Sequence, residues 1–236
     1  VERRSKYLLI NLNQNLTILA HLGMTGKFFI IDNNNTKIKT SFYYSVEKDE
    51  SKHDHLTLYL NKGLKLIYND VRKFGFLRLF KNSSVYNCKH LKFLGPEPLT
   101  KKFNLSYIIK YFLNRKTSIK KVLMDQKFVS GLGNIYCNEI LFLCKIIPHR
   151  IVKNINKKEI GDIIKFTKKI LKKSIDQGGS SIKNFVNIEG KSGSFQQKFN
   201  VYNREKSKCN RNKCLGIIQK INISNRSSNF CSKCQK

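Results

Sequence analysis

KTSIKKVLMDQKFVSGLGNIYCNEILFLCKIIPHR, residues 116–150, is the stretch around which the chain is organised. Apolar residues fall at helical spacing on both sides of a loop at residues 128–134. Gly131 and Gly133 lie in this loop, directly before Asn134. Glycines there leave backbone N–H groups accessible at the start of a helix, where the helix dipole favours an anion such as a phosphate. The pattern predicts helix, tight turn, helix, and spacing alone equally allows a helical hairpin whose glycines serve packing.

The same stretch resembles the helix–two-turn–helix element of bacterial formamidopyrimidine-DNA glycosylases. The hallmark of that family is a Gly-x-Gly-Asn-Ile-Tyr run followed by a glutamate, and it is matched by Gly131, Gly133, Asn134, Ile135, Tyr136 and Glu139. In the family the asparagine binds the phosphates that flank a damaged nucleotide. The resemblance therefore assigns Asn134 to DNA binding.

The composition points to an anionic partner. Among 236 residues there are 46 Lys and Arg against 15 Asp and Glu, a net charge of +31. A genome rich in A and T would also raise the lysine content, and both causes stay open. There is no run of about 18 apolar residues and no signal-peptide pattern. We therefore expect no membrane partner and a cytoplasmic, nucleoid-associated protein, whose seven cysteines are metal ligands or buried thiols.

Short strand patterns fill the first part of the chain and predict an α+β fold with an N-terminal β-sandwich at residues 1–90. Alternating residues at 55–60 and 64–68 predict a hairpin. The chain opens at Val1 without an initiator Met, so we expect an incomplete, N-terminally truncated sandwich. A linker at 91–103, a helix–two-turn–helix domain at 104–200 and a zinc finger at 201–236 are expected to follow.

Two N-terminal segments also resemble the family. Residues 3–9 resemble the segment that carries its pocket lysine, which assigns that role to Lys6, although a single lysine is more often a solvated strand end. Residues 21–26 resemble the loop whose methionine is pushed into the duplex, which assigns Met24 to an intercalating wedge and His21 to DNA binding. Without the resemblance, Met24 would more often belong to a core.

Residues 69–75 resemble a third family loop, whose arginine and phenylalanine complete the wedge opposite an extruded base. Arg72 and Phe74 match it, whereas Val71 and Lys73 replace the usual Pro and Arg and put the stiffness of the loop in doubt. His53 falls where the family places a DNA contact, and a structural histidine is the alternative.

In the second half, the resemblance puts Arg115 at DNA and Lys120 near the damaged base. Residues 182–195, with two glycines, predict a loop, and in the family a loop here folds over the extruded lesion. On that basis Ser181 and Phe195 are assigned to the lesion loop.

Four cysteines predict a zinc site without help from any resemblance. Two pairs are spaced x4 and x2 and are separated by 16 residues, enough for a β-hairpin, and four thiolates suit tetrahedral zinc: Cys209, Cys214, Cys231 and Cys234. The remaining cysteines, Cys88, Cys137 and Cys144, are expected to be buried thiols. Arg226 is predicted at the hairpin tip, five residues before the third ligand, where the family has an arginine that bridges phosphates at the lesion.

The family's reaction begins with attack of an N-terminal proline on the sugar C1′, with a neighbouring glutamate as acid and base. Strand cleavage follows from the resulting Schiff base, and the resemblance makes Lys6 a catalytic aid in the first elimination and Arg226 in the second. The 236 residues contain no such Pro-Glu terminus, and Glu2 lies too close to Lys6 to take the glutamate's role. We expect these residues to bind lesion DNA yet to form little borohydride-trappable Schiff base.

The leading interpretation is thus a base-excision repair glycosylase and AP lyase that removes oxidised purines such as 8-oxoguanine and formamidopyrimidines. It would bind damaged double-stranded DNA as a monomer and hold one structural Zn²⁺. A non-catalytic zinc-ribbon protein that binds damaged DNA is the alternative of another class. An oxidised-pyrimidine glycosylase of the endonuclease VIII type is the third, although residues 178–204 look more like the purine enzymes.

Overall fold

The computed structural model describes residues 1–34, 37–38, 51–177, 179 and 199–236. These form two compact units, Val1–Lys92 and Phe93–Gln177 with residues 199–236. The predicted α+β fold, with an N-terminal β-sandwich, a helix–two-turn–helix domain and a C-terminal hairpin with its cysteine cluster, is confirmed. The finer division into a linker and a separate zinc finger stays a prediction.

Unit 1 contains the strands of the sandwich. They are β1 Glu2–Arg4, β2 Tyr7–Asn11, β3 Leu16–His21, β4 Lys27–Ile31, β5 Lys37–Ile38, β6 Asp54–Tyr59, β7 Lys65–Asn69 and β8 Phe76–Lys81. Short 3-10 turns lie at Ser51–His53, Asn61–Gly63 and Val85–Asn87. The strand predicted at 37–46 is described only at its first two residues, and the rest lies outside the described part of the chain.

The eight strands form two antiparallel four-stranded sheets, ordered β1-β2-β3-β8 and β5-β4-β7-β6. Leu9 on β2 pairs with Leu19 on β3, and both are buried. In the second sheet, Ile67 and Tyr68 on β7 are both buried. Adjacent strand residues point to opposite faces of a sheet, so β7 is covered on both faces at this point.

Unit 2 is helical, with a hairpin at its C-terminal end. Its elements are α1 Leu105–Phe112, α2 Ile119–Met124, α3 Asn134–Leu143, α4 Lys157–Asp176, β9 Ile218–Ile223 and β10 Arg226–Cys231, with a 3-10 turn at Val152–Asn154. The Asn104 side chain caps α1, and a capping box of Asn156 and Glu159 starts α4. No helix in the described ranges is long and apolar enough to cross a membrane.

Helix α3 is the central element of unit 2. Its residues 137–142 are all buried, and it packs against α2, α4 and β10. The predicted linker docks onto the turn between α2 and α3, because Gly95 N donates to Gln126 O and Ser130 N donates to Pro96 O. The approach at Gly95 is close: an added Cβ would lie 2.5 Å from Phe128 O. A larger residue at position 95 would push this segment away from the turn.

Candidate nucleic-acid interface and metal centre

Three exposed side chains gather where two loops of unit 1 meet. Met24 is 64% exposed in the loop after β3, and Phe74 is 56% exposed in the loop between β7 and β8. Arg72 joins them: its Nη1 donates to Met24 Sδ at 3.3 Å, and its guanidinium carbon lies 4.6 Å from the centroid of the Phe74 ring. An apolar tip backed by a cation suits insertion into a DNA duplex. We call Met24, Arg72 and Phe74 the wedge cluster.

Glycines allow the two loops to meet backbone to backbone. Gly23 has a φ of +62°, and a Cβ added to it would lie 2.7 Å from Gly75 N. A side chain at position 23 would therefore be strained and would also separate the loops.

His21 holds the start of the Met24 loop. Its Nδ1 accepts a hydrogen bond from Gly23 N at 3.1 Å. Partial burial lowers the pKa of His21, and the nearby Lys6 charge lowers it further. A neutral imidazole is the form that can accept this bond. The structure shows His21 acting on the loop, and its contact with DNA stays a prediction.

Two further predicted residues lie in unit 1. Lys6 is exposed in the turn between β1 and β2. His53 is half-buried at the end of a 3-10 turn, and its carbonyl oxygen accepts from Asp70 N at 3.0 Å, which ties it to the loop that carries Arg72.

In unit 2, Asn134 and Arg226 come from neighbouring elements. Asn134 is the first residue of α3, and its Nδ2 donates to Ser227 O at 3.0 Å. Within the described residues, Asn134 Oδ1 is buried and has no hydrogen-bond partner. Ser224 and Asn225 have φ of 50° and 58°, the left-handed pair typical of a tight hairpin turn. Arg226 follows this turn and is exposed, as predicted for a residue at the hairpin tip.

The structure places Lys120 in the interior. It is 1% exposed, and its Nζ donates to Asn138 Oδ1 at 2.6 Å and to Asn134 O at 3.4 Å. Burial lowers the pKa of Lys120 to about 8. Asn138 Oδ1 also accepts from Asn229 N at 3.2 Å, so this lysine helps to join α2, α3 and β10. The place of Lys120 near the damaged base stays a prediction.

Of the remaining predicted contacts, the structure describes Arg115 but not the two lesion-loop residues. Arg115 is exposed before α2, where its Nε donates to Tyr111 O at 2.6 Å and its guanidinium lies 4.0 Å from the centroid of the Tyr111 ring. These two contacts with Tyr111 fix the direction of the Arg115 side chain. The two lesion-loop predictions, Ser181 and Phe195, lie outside the described residues.

Glu139 is a residue whose role sequence reasoning missed. Its buried carboxylate accepts four N–H groups, all at 2.9 Å, from Asn200 N, Asn200 Nδ2, Val201 N and Tyr202 N. These bonds fix residues 200–202, a few positions after the segment predicted as the lesion loop. The sequence offered one signal for this role, because Glu139 is an acid on a helix that is otherwise largely apolar. A carboxylate buried in such a place needs several hydrogen-bond donors.

The four cysteines of the predicted zinc finger converge. Their sulfur atoms all lie within 4.8 Å of one another, with Cys209 Sγ and Cys234 Sγ at 3.9 Å and Cys214 Sγ and Cys231 Sγ at 3.7 Å. Gly216 leaves room for them, because an added Cβ would lie 2.5 Å from Cys231 Sγ. The cluster can hold a metal ion, and it packs on Phe142 at the end of α3. Of the other cysteines, Cys137 and Cys144 are buried and Cys88 is half-buried.

Comparison with known proteins identifies the family. Residues 1–77 match the model of the formamidopyrimidine-DNA glycosylase N-terminal domain, and residues 94–186 match that of the formamidopyrimidine-DNA glycosylase H2TH domain. A formamidopyrimidine-DNA glycosylase from Roseobacter denitrificans is 39% identical over 236 residues, covering 100% of this chain and 82% of the relative. The chain belongs to the formamidopyrimidine-DNA glycosylase family.

Further members of the formamidopyrimidine-DNA glycosylase family match this chain over nearly its whole length. The Histophilus somni (strain 2336) protein is 40% identical over 235 residues, covering 99% of this chain and 80% of that protein. Among solved structures, the Lactococcus lactis enzyme non-covalently bound to DNA containing an AP site matches with a TM-score of 0.82 and 32% identity, over 100% of this chain and 80% of that one. A Lactococcus lactis mutant in complex with Fapy-dG-containing DNA matches with a TM-score of 0.83, at 32% identity and the same coverage.

Proposed function

We propose that this protein is a base-excision repair DNA glycosylase that removes oxidised purines and cleaves the strand as an AP lyase. The observation that carries the proposal is the wedge cluster, in a chain that matches both domain models of the family. An enzyme that acts on a base must extrude it from the duplex and stabilise the gap left behind. Met24, Arg72 and Phe74 supply the apolar surface and the charge for that task.

The DNA contacts follow from the exposed cations and from the start of α3. Asn134 and Arg226 bind the phosphates beside the lesion, with Arg115 and His53 as further contacts and Lys6 as the aid to the first elimination. Arg226 is suited to this role because it directly follows the tight turn of the hairpin and carries a guanidinium that can bridge phosphate oxygens. Asn134 fits because the dipole of α3 favours an anion at its first turn.

We further propose that the metal is a single structural zinc ion. Zinc–thiolate bonds of about 2.3 Å in a tetrahedron require sulfurs about 3.8 Å apart. Two of the separations, 3.7 Å and 3.9 Å, fit this requirement, and all four sulfur atoms lie within 4.8 Å of one another. Cys209, Cys214, Cys231 and Cys234 would hold the ion. When bound, the ion cross-links the base of the hairpin, and the hairpin in turn carries Arg226 at its tip.

The partner is damaged double-stranded DNA, and the relatives solved with abasic or Fapy-containing DNA support that choice. We propose that the protein works in the cytoplasm on nucleoid DNA, because its relatives are bacterial formamidopyrimidine-DNA glycosylases. Binding as a monomer stays a prediction, which light scattering of the protein with and without a short duplex would check.

The function is tested by measuring base release from duplexes that contain 8-oxoguanine, a formamidopyrimidine or an oxidised pyrimidine, using the protein as expressed from its gene. We expect release of the purine lesions, strand cleavage, and tighter binding to abasic than to undamaged duplex. Met24→Ala should lower base release, whereas Leu79→Ala, an equally exposed apolar residue on β8, should not. Preferential release of the pyrimidine, or binding without any release, would overturn the proposal.

A further inference from the structure

The wedge cluster stands on two loops that are joined at one buried carboxylate. Asp70 directly follows β7 and is 0% exposed. Its Oδ1 accepts from the Thr25 hydroxyl and from Arg72 N, the latter at 3.3 Å. Its Oδ2 accepts from Gly75 N at 2.8 Å and from the Tyr68 hydroxyl at 3.2 Å.

These bonds reach both loops of the wedge. Thr25 is the neighbour of Met24, and its Oγ1 also accepts from Arg72 N at 3.1 Å. Arg72 and Gly75 flank Phe74 in the second loop. The backbone of Asp70 is held as well, since its N–H donates to His53 O and its carbonyl oxygen accepts from His55 Nε2 at 2.9 Å. One side chain thus bonds to the backbone of Arg72 itself and to the direct neighbours of Met24 and Phe74.

The charge of Asp70 is part of this arrangement. Burial alone would raise the pKa of its carboxyl, but hydrogen bonds from Thr25, Gly75, Tyr68 and Arg72 outweigh burial and hold the pKa below its usual value. The carboxylate therefore stays ionised at neutral pH and presents only acceptors to its four donors. An amide of the same shape would turn an NH₂ group towards at least one of those donors.

We propose that Asp70 is the positioning residue of the wedge, with Thr25 as its partner: the carboxylate holds the Met24 and Arg72–Phe74 loops in the spacing needed for joint insertion into DNA. This inference rests on the proposed function, because it assumes that the cluster enters a duplex. Inserted side chains must displace stacked bases. If the wedge loops were loosely held, ordering them on binding would cost free energy and lower the affinity for DNA. Asp70 itself contacts no DNA in this role.

The test uses the whole chain and a duplex with an abasic-site analogue opposite 2-aminopurine, whose fluorescence rises when the base is unstacked. For Asp70→Asn we expect the fluorescence rise to fall to that of Met24→Ala, and the affinity for this duplex to fall about tenfold. Amide hydrogen exchange at Arg72 and Gly75 in the free protein should become faster. Asp32→Asn, which removes the same charge from a different loop of unit 1, should leave all three readouts unchanged.

A second pair of variants tests the same link in case Asp70→Asn does not fold. Thr25→Val removes only the hydroxyl link and should lower the fluorescence rise, and Thr25→Ser should restore it. Faster exchange in Thr25→Val with an unchanged fluorescence rise would overturn the positioning role while leaving the proposed function intact. No fluorescence rise even in the wild-type complex would instead overturn the proposed function, and the wedge role with it.

Discussion

The side-chain amide of Asn134 donates to the carbonyl oxygen of Ser227 at 3.0 Å, which joins the first residue of α3 to the strand that carries Arg226. This bond links two proposed phosphate contacts that lie 92 positions apart in the sequence. Losing Asn134 therefore removes a contact and also an anchor of its neighbour.

We expect Asn134→Ala and Arg226→Ala each to lower the affinity for abasic duplex by about 1–3 kcal/mol. Because the two are linked through Ser227, the double variant should deviate from additivity by about 0.5 kcal/mol or more. Arg226→Ala should also reduce the slope of log K against log salt by about one, whereas the neutral Asn134 should leave the slope unchanged. Lys220→Ala, an exposed cation on β9, is the matched control for Arg226. Strict additivity would show that the Asn134–Ser227 bond does not position Arg226.

Glu139→Gln should lower the free energy of unfolding by about 2–4 kcal/mol. A glutamine offers one acceptor oxygen and turns an NH₂ group towards donors that the carboxylate now satisfies. Urea denaturation measures the loss. Glu205→Gln, at an exposed carboxylate that contacts Lys220, should stay within about 0.5 kcal/mol of wild type. Equal stability of both variants would mean that residues 200–202 are held by other contacts.

Lys120 should make stability depend on pH in the alkaline range. Its pKa is lowered by burial from 10.5 to about 8, so between these values the unfolded chain holds more protons than the folded one. The free energy of unfolding should therefore rise as pH increases from about 8 to about 10.5, by at most about 3 kcal/mol from this group.

The measurement is the difference in unfolding free energy between wild type and Lys120→Met as a function of pH. As pH rises from about 8 to about 10.5, the unfolding free energy of wild type should increase relative to that of Lys120→Met. Lys121→Met, at the exposed neighbour on α2, should show the same pH dependence as wild type. Parallel curves for Lys120→Met would show that Asn138 compensates the buried charge fully.

The zinc proposal predicts one zinc ion per chain by elemental analysis. Cys231→Ser or a strong chelator should remove it and expose residues 205–236 to protease, because metal binding supplies much of the folding free energy of a small hairpin. Arg226 then loses its support, so DNA affinity should fall as well. Cys88→Ser, outside the cluster, should keep the metal. A protease-resistant hairpin without metal would contradict the structural role.

Local patterns in the sequence were enough to predict much of this fold. The alternation at β6 and β7 and the helical spacing around Gly131 and Gly133 determine element type, because each element must bury one face. The cysteine spacing indicated the metal cluster for a similar reason, since two short knuckles need only a hairpin between them. The strand pattern before residue 224 indicated a hairpin turn near Arg226, and the structure has Arg226 as the first residue after that turn.

Contacts between distant residues were decided only by the tertiary structure. The sequence could not show that Lys120 is buried against Asn138, because a lysine next to a helix start is usually solvated. Nor could it show that Glu139 binds the backbone at residues 200–202, or that Asp70 joins two loops through Thr25. Each of these buried charges is tolerated only because packing brings its hydrogen-bond partners from other segments, and no local pattern encodes that convergence.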